Sequence, residues 1–105
     1  MPSEVSVRCL LTSAKYCSFT KAAEELYMTR QAVSQQIAAL EKELGVRLFN
    51  RTTAKISPTA VGELYINYFN DVIRQWNEVR QKAEAIMKRE NATIRVGLCA
   101  DIVKL

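Results

Sequence analysis

Histidine is absent from all 105 residues, cysteine and glycine each occur three times and proline twice. Without imidazole, Ser-His-Asp and Cys-His catalysis is excluded, together with most zinc sites, and a hydrolytic enzyme is not expected. Cys9, Cys17 and Cys99 are an odd number with no Cys-x-x-Cys spacing, which argues against a disulfide framework and a metal knuckle. They are expected to be small buried or half-buried side chains. So little glycine and proline excludes a fibrous or disordered chain. No stretch approaches the roughly 20 apolar residues that span a bilayer. The opening MPSEVSVRCLL also lacks a basic region followed by a sustained apolar core. No membrane partner and a reducing, cytoplasmic location are therefore expected. What is present, 49% apolar and 25% charged residues, fits one small domain with an accessory element.

The formal charge of +4 is unevenly placed. Residues 1–58 hold eight basic and five acidic side chains, whereas residues 59–93 hold five of each. Arg47, Arg51 and Lys55 recur every four residues, and no acid stands between Leu44 and Glu63. Such a stretch is either a phosphate-facing loop or a solubilising face.

Val7, Leu10, Leu11 and Ala14 recur at helical spacing and predict a first helix ending near residues 16–18. Phe19 plugs the following corner. Thr20 is the expected N-cap of a short second helix, residues 21–27, with Ala22, Ala23 and Leu26 on a close-packing inner face. Thr29 caps a third helix, residues 30–44, whose Val33, Ile37, Leu40 and Leu44 face inward, and Gly45 stops it. The opposite face of the third helix carries Arg30, Gln31, Ser34, Gln35 and Ala38, without a carboxylate. Arg pairs bidentately with guanine, Gln with adenine, and Ser with a base edge or a phosphate, so this face suits a major groove, the alternative being a solvated polar face without a partner. Two short capped helices around a tight corner read as a helix-turn-helix. Val46, Leu48 and Ile56 then flank the polar turn 50–55, predicting a two-stranded wing that ends at Pro58. The wing carries Arg51, Thr52, Thr53 and Lys55 beside the third helix, for backbone or minor-groove contacts.

Thr59 caps a last helix of about 30 residues, with Gly62 offering a close-approach point in its first turn. Tyr65, Phe69, Val72, Trp76, Val79, Ala83 and Ile86 follow a four-three spacing and form a heptad-type seam, read as a dimerisation surface or, alternatively, as a face packed within a larger intact protein. Val61, Leu64 and Tyr68 widen the stripe at its start, where the helix is expected to pack on its own domain. Ile94–Leu98 alternates like a strand, read as the first strand of an absent second domain or, alternatively, as a strand added to the wing. The fold class is mainly α: a winged helix-turn-helix at 1–58, a linker helix at 59–91 and a hinge with the opening strand at 92–105.

Phe19-Thr-Lys-Ala-Ala-Glu-Glu-Leu26, Ala32-Val-Ser34, Ile37, Leu40-Glu41, Glu43-Leu-Gly-Val46, Leu48-Phe49, Arg51-Thr52 and Thr59-Ala-Val-Gly62 together resemble the N-terminal domain of LysR-type transcriptional regulators. The resemblance implies a bacterial, sequence-specific DNA binder whose linker helices pair antiparallel. It further implies tetramers on AT-rich interrupted palindromes of double-stranded DNA in the nucleoid. A small-molecule effector is implied for a C-terminal domain, and no cofactor for this stretch. By position, the base- and phosphate-reading residues fall on Thr29, Arg30, Gln31, Ser34 and Gln35, with Thr20 and Lys21 near the backbone and Arg51, Thr52 and Thr53 in the wing. Ala54 stands where a minor-groove arginine is frequent, with Lys55 beside it.

Two other classes compete. A winged-helix assembly module would give tight oligomers without duplex affinity, and a thiol enzyme or sensor would use Cys9 or Cys17 without an activating histidine.

Overall fold

The computed structural model describes residues 2–52 and 55–92. Its elements are α1 (Glu4–Tyr16), α2 (Phe19–Leu26), α3 (Arg30–Leu44), β1 (Phe49–Arg51), β2 (Ile56–Pro58) and α4 (Ala60–Ala92). Thr53, Ala54 and the expected terminal strand lie outside the described residues. Two compact units divide the chain after Asn70.

Each of the first three helices starts on a hydroxyl. Ser3, Ser18 and Thr29 adopt extended backbone and accept hydrogen bonds from the N–H groups of Ser6, Lys21 and Ala32, satisfying donors that a helix start leaves unpaired. Thr29 and Gly45 bound α3 as expected, Gly45 in the left-handed region at φ 72°. The start of α2 differs from the expectation. Ser18, not Thr20, is the cap, and Thr20 lies inside the first turn. The reason is Phe19: its buried ring meets Phe49 edge to face at 5.7 Å, so the helix must open on that residue to seat it.

The three helices pack on one another around Leu10, Ala22, Val33, Ile37 and Leu40. Burying each large aliphatic chain among them contributes about 1.5–3 kcal/mol. Leu48 and Phe49 bring the wing strand onto the same core, and β1 pairs antiparallel with β2 in the register Phe49↔Pro58, Asn50↔Ser57, Arg51↔Ile56. Across the turn, Thr52 N–H donates to the Lys55 carbonyl at 3.1 Å.

Thr59 fastens α4 to this body. Its hydroxyl donates to the Arg47 carbonyl at 2.6 Å and accepts from Gly62 N–H at 2.9 Å, while its own N–H donates to the Leu48 carbonyl at 2.9 Å. A Cβ on Gly62 would lie 2.1 Å from that same carbonyl oxygen, so the approach requires glycine. This contact turns the face of residues 62, 65, 66 and 69 inward, and Tyr65, Ile66 and Phe69 join the core, Phe69 at 2% exposure. One expectation for α4 is thereby corrected: Val61, Leu64 and Tyr68, expected to pack on that domain, are exposed, Leu64 at 69%, while Tyr65, half-buried, and Phe69, both expected in a dimer seam, pack on the core of their own domain.

In the second unit, Val72 is half-buried, and Trp76, Val79, Ala83 and Ile86 are exposed, Trp76 at 68%. Along the same stretch Arg74 pairs with Asp71 and Glu78, and Arg80 with Glu84, at helical spacing.

Candidate nucleic-acid interface

Helix α3 presents Arg30, Gln31 and Gln35 to solvent with Ser34 half-buried between them. Its inner face, Val33, Ile37 and Leu40, is fully sequestered, which fixes the helix in rotation and forces the carboxylate-free face outward. Gln36 reinforces that setting by accepting from the Ser6 hydroxyl of α1 at 2.9 Å. Thr29 serves α3 as its cap, accepting from Ala32 N–H at 3.0 Å.

The polar turn of the wing comes to the start of this helix. A cleft of about 140 Å³ is lined by Cys17, Ser18, Phe19, Thr20, Arg30, Thr52, Lys55 and Ile56. It gathers two cations and three hydroxyl side chains with no acid, from the start of α2, the start of α3 and the wing. Separations of ten and thirty-five residues in the chain are thus closed into one electropositive hollow that suits a phosphate oxygen. Thr20, Arg30, Thr52 and Lys55 are brought together there. Lys21 is not: it borders a separate hollow with Tyr16, Glu24 and Glu25. In that region Glu25 accepts from the Tyr16 hydroxyl and pairs with Lys15 at 3.6 Å. The Tyr16 hydrogen bond, with the Lys15 charge, holds the Glu25 carboxyl below its ordinary range, and Lys15 is raised by Tyr16 and Glu25. Thr53 lies outside the described residues.

Arg51 is engaged within the protein. Its Nη2 donates to Glu41 Oε1 at 3.1 Å, and its guanidinium lies 5.9 Å above the Phe19 ring. Glu41 also accepts from Leu48 N–H at 2.7 Å. Glu41 and Ser18 are the residues that sequence reasoning missed. Ser18 competes with Thr20, two residues on, whose hydroxyl is also a suitable cap. For Glu41, one of two acids in the last turn of α3 and ten residues before Arg51, spacing carries no periodic signal, since the turn between them sets the distance.

The thiol alternatives fare differently in geometry. Cys9 is completely buried, its thiol 3.9 Å from Met28 Sδ, and desolvation pushes its pKa up against the pull of Arg8. A buried thiol held protonated is a poor nucleophile. Cys17 is exposed, its thiol donating to the Ala14 carbonyl at 3.6 Å. Among the described residues, no three metal-ligating side chains converge, and no helix is long and apolar enough to cross a membrane.

The chain resembles proteins whose names place them in gene regulation. It is 39% identical over 82 residues to the glycine cleavage system transcriptional activator homolog of Haemophilus influenzae, covering 78% of this chain and 27% of that protein. The Escherichia coli glycine cleavage system transcriptional activator is 36% identical over 85 residues, covering 81% of this chain and 28% of that one. The chain therefore spans little more than a quarter of the length of these relatives. In structure it matches the BenM DNA-binding domain solved with benA site 1 DNA, at a TM-score of 0.74 and 27% identity, over 80% of this chain and 96% of that one. Full-length OxyR from Pseudomonas aeruginosa matches at 0.70 and 30% identity, over 79% of this chain and 28% of that one. Residues 5–63, the stretch that builds the three-helix core, the wing and the start of α4, fit the model of the bacterial regulatory helix-turn-helix proteins, and the chain belongs to their LysR family.

Proposed function

We propose that this chain is the DNA-binding and dimerising part of a bacterial transcription regulator, with α3 in the major groove and the wing turn on the backbone or in the minor groove. The observation that carries the reading is the junction of the carboxylate-free face of α3 with the cleft holding Arg30 and Lys55. A helix face without acids, bordered by cations and hydroxyls, meets base edges and phosphates and repels neither. Arg30, Gln31, Ser34 and Gln35 read bases; Thr20, Thr29, Thr52, Thr53 and Lys55 hold the backbone, and Lys21 adds charge at the rim.

The duplex is an AT-rich interrupted palindrome. Two copies joined along α4 offer two reading heads, one for each half-site, spaced by a multiple of the helical repeat of roughly 34 Å. Within the second unit, Val72, Trp76, Val79, Ala83 and Ile86 form the contact. An intact regulator is a tetramer in the cytoplasm, acting at the nucleoid and answering to a small-molecule effector held outside this stretch. The benA site complex of a relative supports the duplex as ligand.

Fluorescence anisotropy against AT-rich palindromic and scrambled duplexes at several salt concentrations, with sedimentation mass in parallel, tests this. Tighter binding of the palindrome by a dimer, with affinity falling steeply as salt rises, is the expected result. A dimer with no salt-dependent affinity for any duplex overturns it in favour of an assembly module.

A further inference from the structure

Glu41 stands in the last turns of α3 at 9% exposure and makes two hydrogen bonds to the chain beyond, to Leu48 N–H and to Arg51 Nη2. The pleat of β1 places Phe49 and Arg51 on one side and Asn50 on the other, so Arg51 shares the side of the core residue Phe49. Its guanidinium covers Phe19, which in turn meets Phe49. Glu41, Arg51, Phe19 and Phe49 thus link α3, the wing and the start of α2. The cleft beside Arg30 is lined by Lys55 and not by Arg51. Drawing Arg51 out to a phosphate would strand a buried carboxylate, which is strongly unfavourable.

We propose that Glu41 is a positioning residue of the DNA-reading surface: through Arg51 it fixes the wing against α3, so that Lys55 is the wing cation that meets phosphate and Arg51 makes no phosphate contact of its own. This rests on the DNA-binding reading above. The ion pair acts as one unit in holding the wing, so substituting Glu41 by Gln, which keeps an acceptor for Leu48 N–H, or removing the Arg51 charge, weakens binding in the same direction.

The test is anisotropy titration of the full chain and its variants against one random-sequence duplex across a salt series, with circular dichroism melting to verify folding. Glu41→Gln and Arg51→Met should each weaken binding on the order of tenfold with a common salt slope, and the double variant should be no weaker than either. Arg51→Lys should recover part of the loss. The inference is overturned if Arg51→Met lowers the slope by about 0.9 while Glu41→Gln binds as well as or better than the parent, because that is the signature of a direct phosphate contact. Should Glu41→Gln fail to fold, the Lys55→Ala background decides: there Arg51→Met should remove no further slope, and a further drop of about 0.9 overturns the inference. A parent chain without salt-dependent binding removes the DNA-binding reading and this inference together, whereas the opposite variant responses remove this inference alone.

Discussion

Tyr27 has φ 55° and closes α2 in the left-handed region while 96% exposed, so its ring contributes nothing to the core. A non-glycine residue there costs roughly 1–2 kcal/mol, less for asparagine, whose amide bonds locally. Tyr27→Asn should therefore raise stability by about 1 kcal/mol, read as a melting temperature several degrees higher; no rise would show that the turn is held by something other than the backbone preference. Glu25 gives a prediction with pH. Its carboxyl is depressed by the Tyr16 hydroxyl first and by Lys15 after it, so the folded state favours the ionised form. The stabilisation is then fully present above the ordinary carboxylate range and is lost as pH falls through the lower folded value. Glu25→Gln should flatten that part of the acid limb in denaturant melts, and an identical limb in parent and variant would refute the linkage.

Elements depend on single close approaches. Gly62 seats α4 on the Leu48 carbonyl, and a methyl group 2.1 Å from backbone oxygen leaves no flexible atom to yield. Gly62→Ala should destabilise by about 1–3 kcal/mol or more, as overpacking does, measured as a lower urea midpoint. A midpoint equal to the parent would mean that α4 shifts freely along the wing. The two elements of the interface should separate in binding. Arg30→Ala on α3 should shrink the preference for palindromic over scrambled DNA, while Lys55→Ala in the wing should weaken both alike and lower the salt slope by about 0.9. Equal losses on both duplexes for Arg30→Ala would remove its base-reading role.

Across the whole molecule, the first unit closes its own core, whereas the second leaves Trp76, Val79 and Ile86 wet. Covering each contributes about 1.5–3 kcal/mol, sufficient together to favour association. Trp76→Glu would place a charge in that contact. It should sediment as a monomer and bind the palindrome poorly, with the fold of the first unit retained by circular dichroism. An unchanged mass would place the contact elsewhere on the chain.

The periodicity of apolar residues is enough to specify four helices, and the hydroxyls at Thr29 and Thr59 with Gly45 fix where two of them start and one stops, because capping and pitch are local properties of the chain. The polar face of α3 is legible for the same reason: 3.6 residues per turn converts spacing directly into a face. Three features depend on folding instead. Ser18 prevails over Thr20 because Phe19 must reach Phe49, thirty residues away. The stripe of α4 that turns inward is set by one backbone contact at Gly62, and helical spacing alone is indifferent to the rotation of a helix about its axis. Arg51 reads as one of three evenly spaced surface cations until the wing turn brings it to a buried carboxylate, since charge patterning along a chain holds no information on which opposite charge the fold delivers.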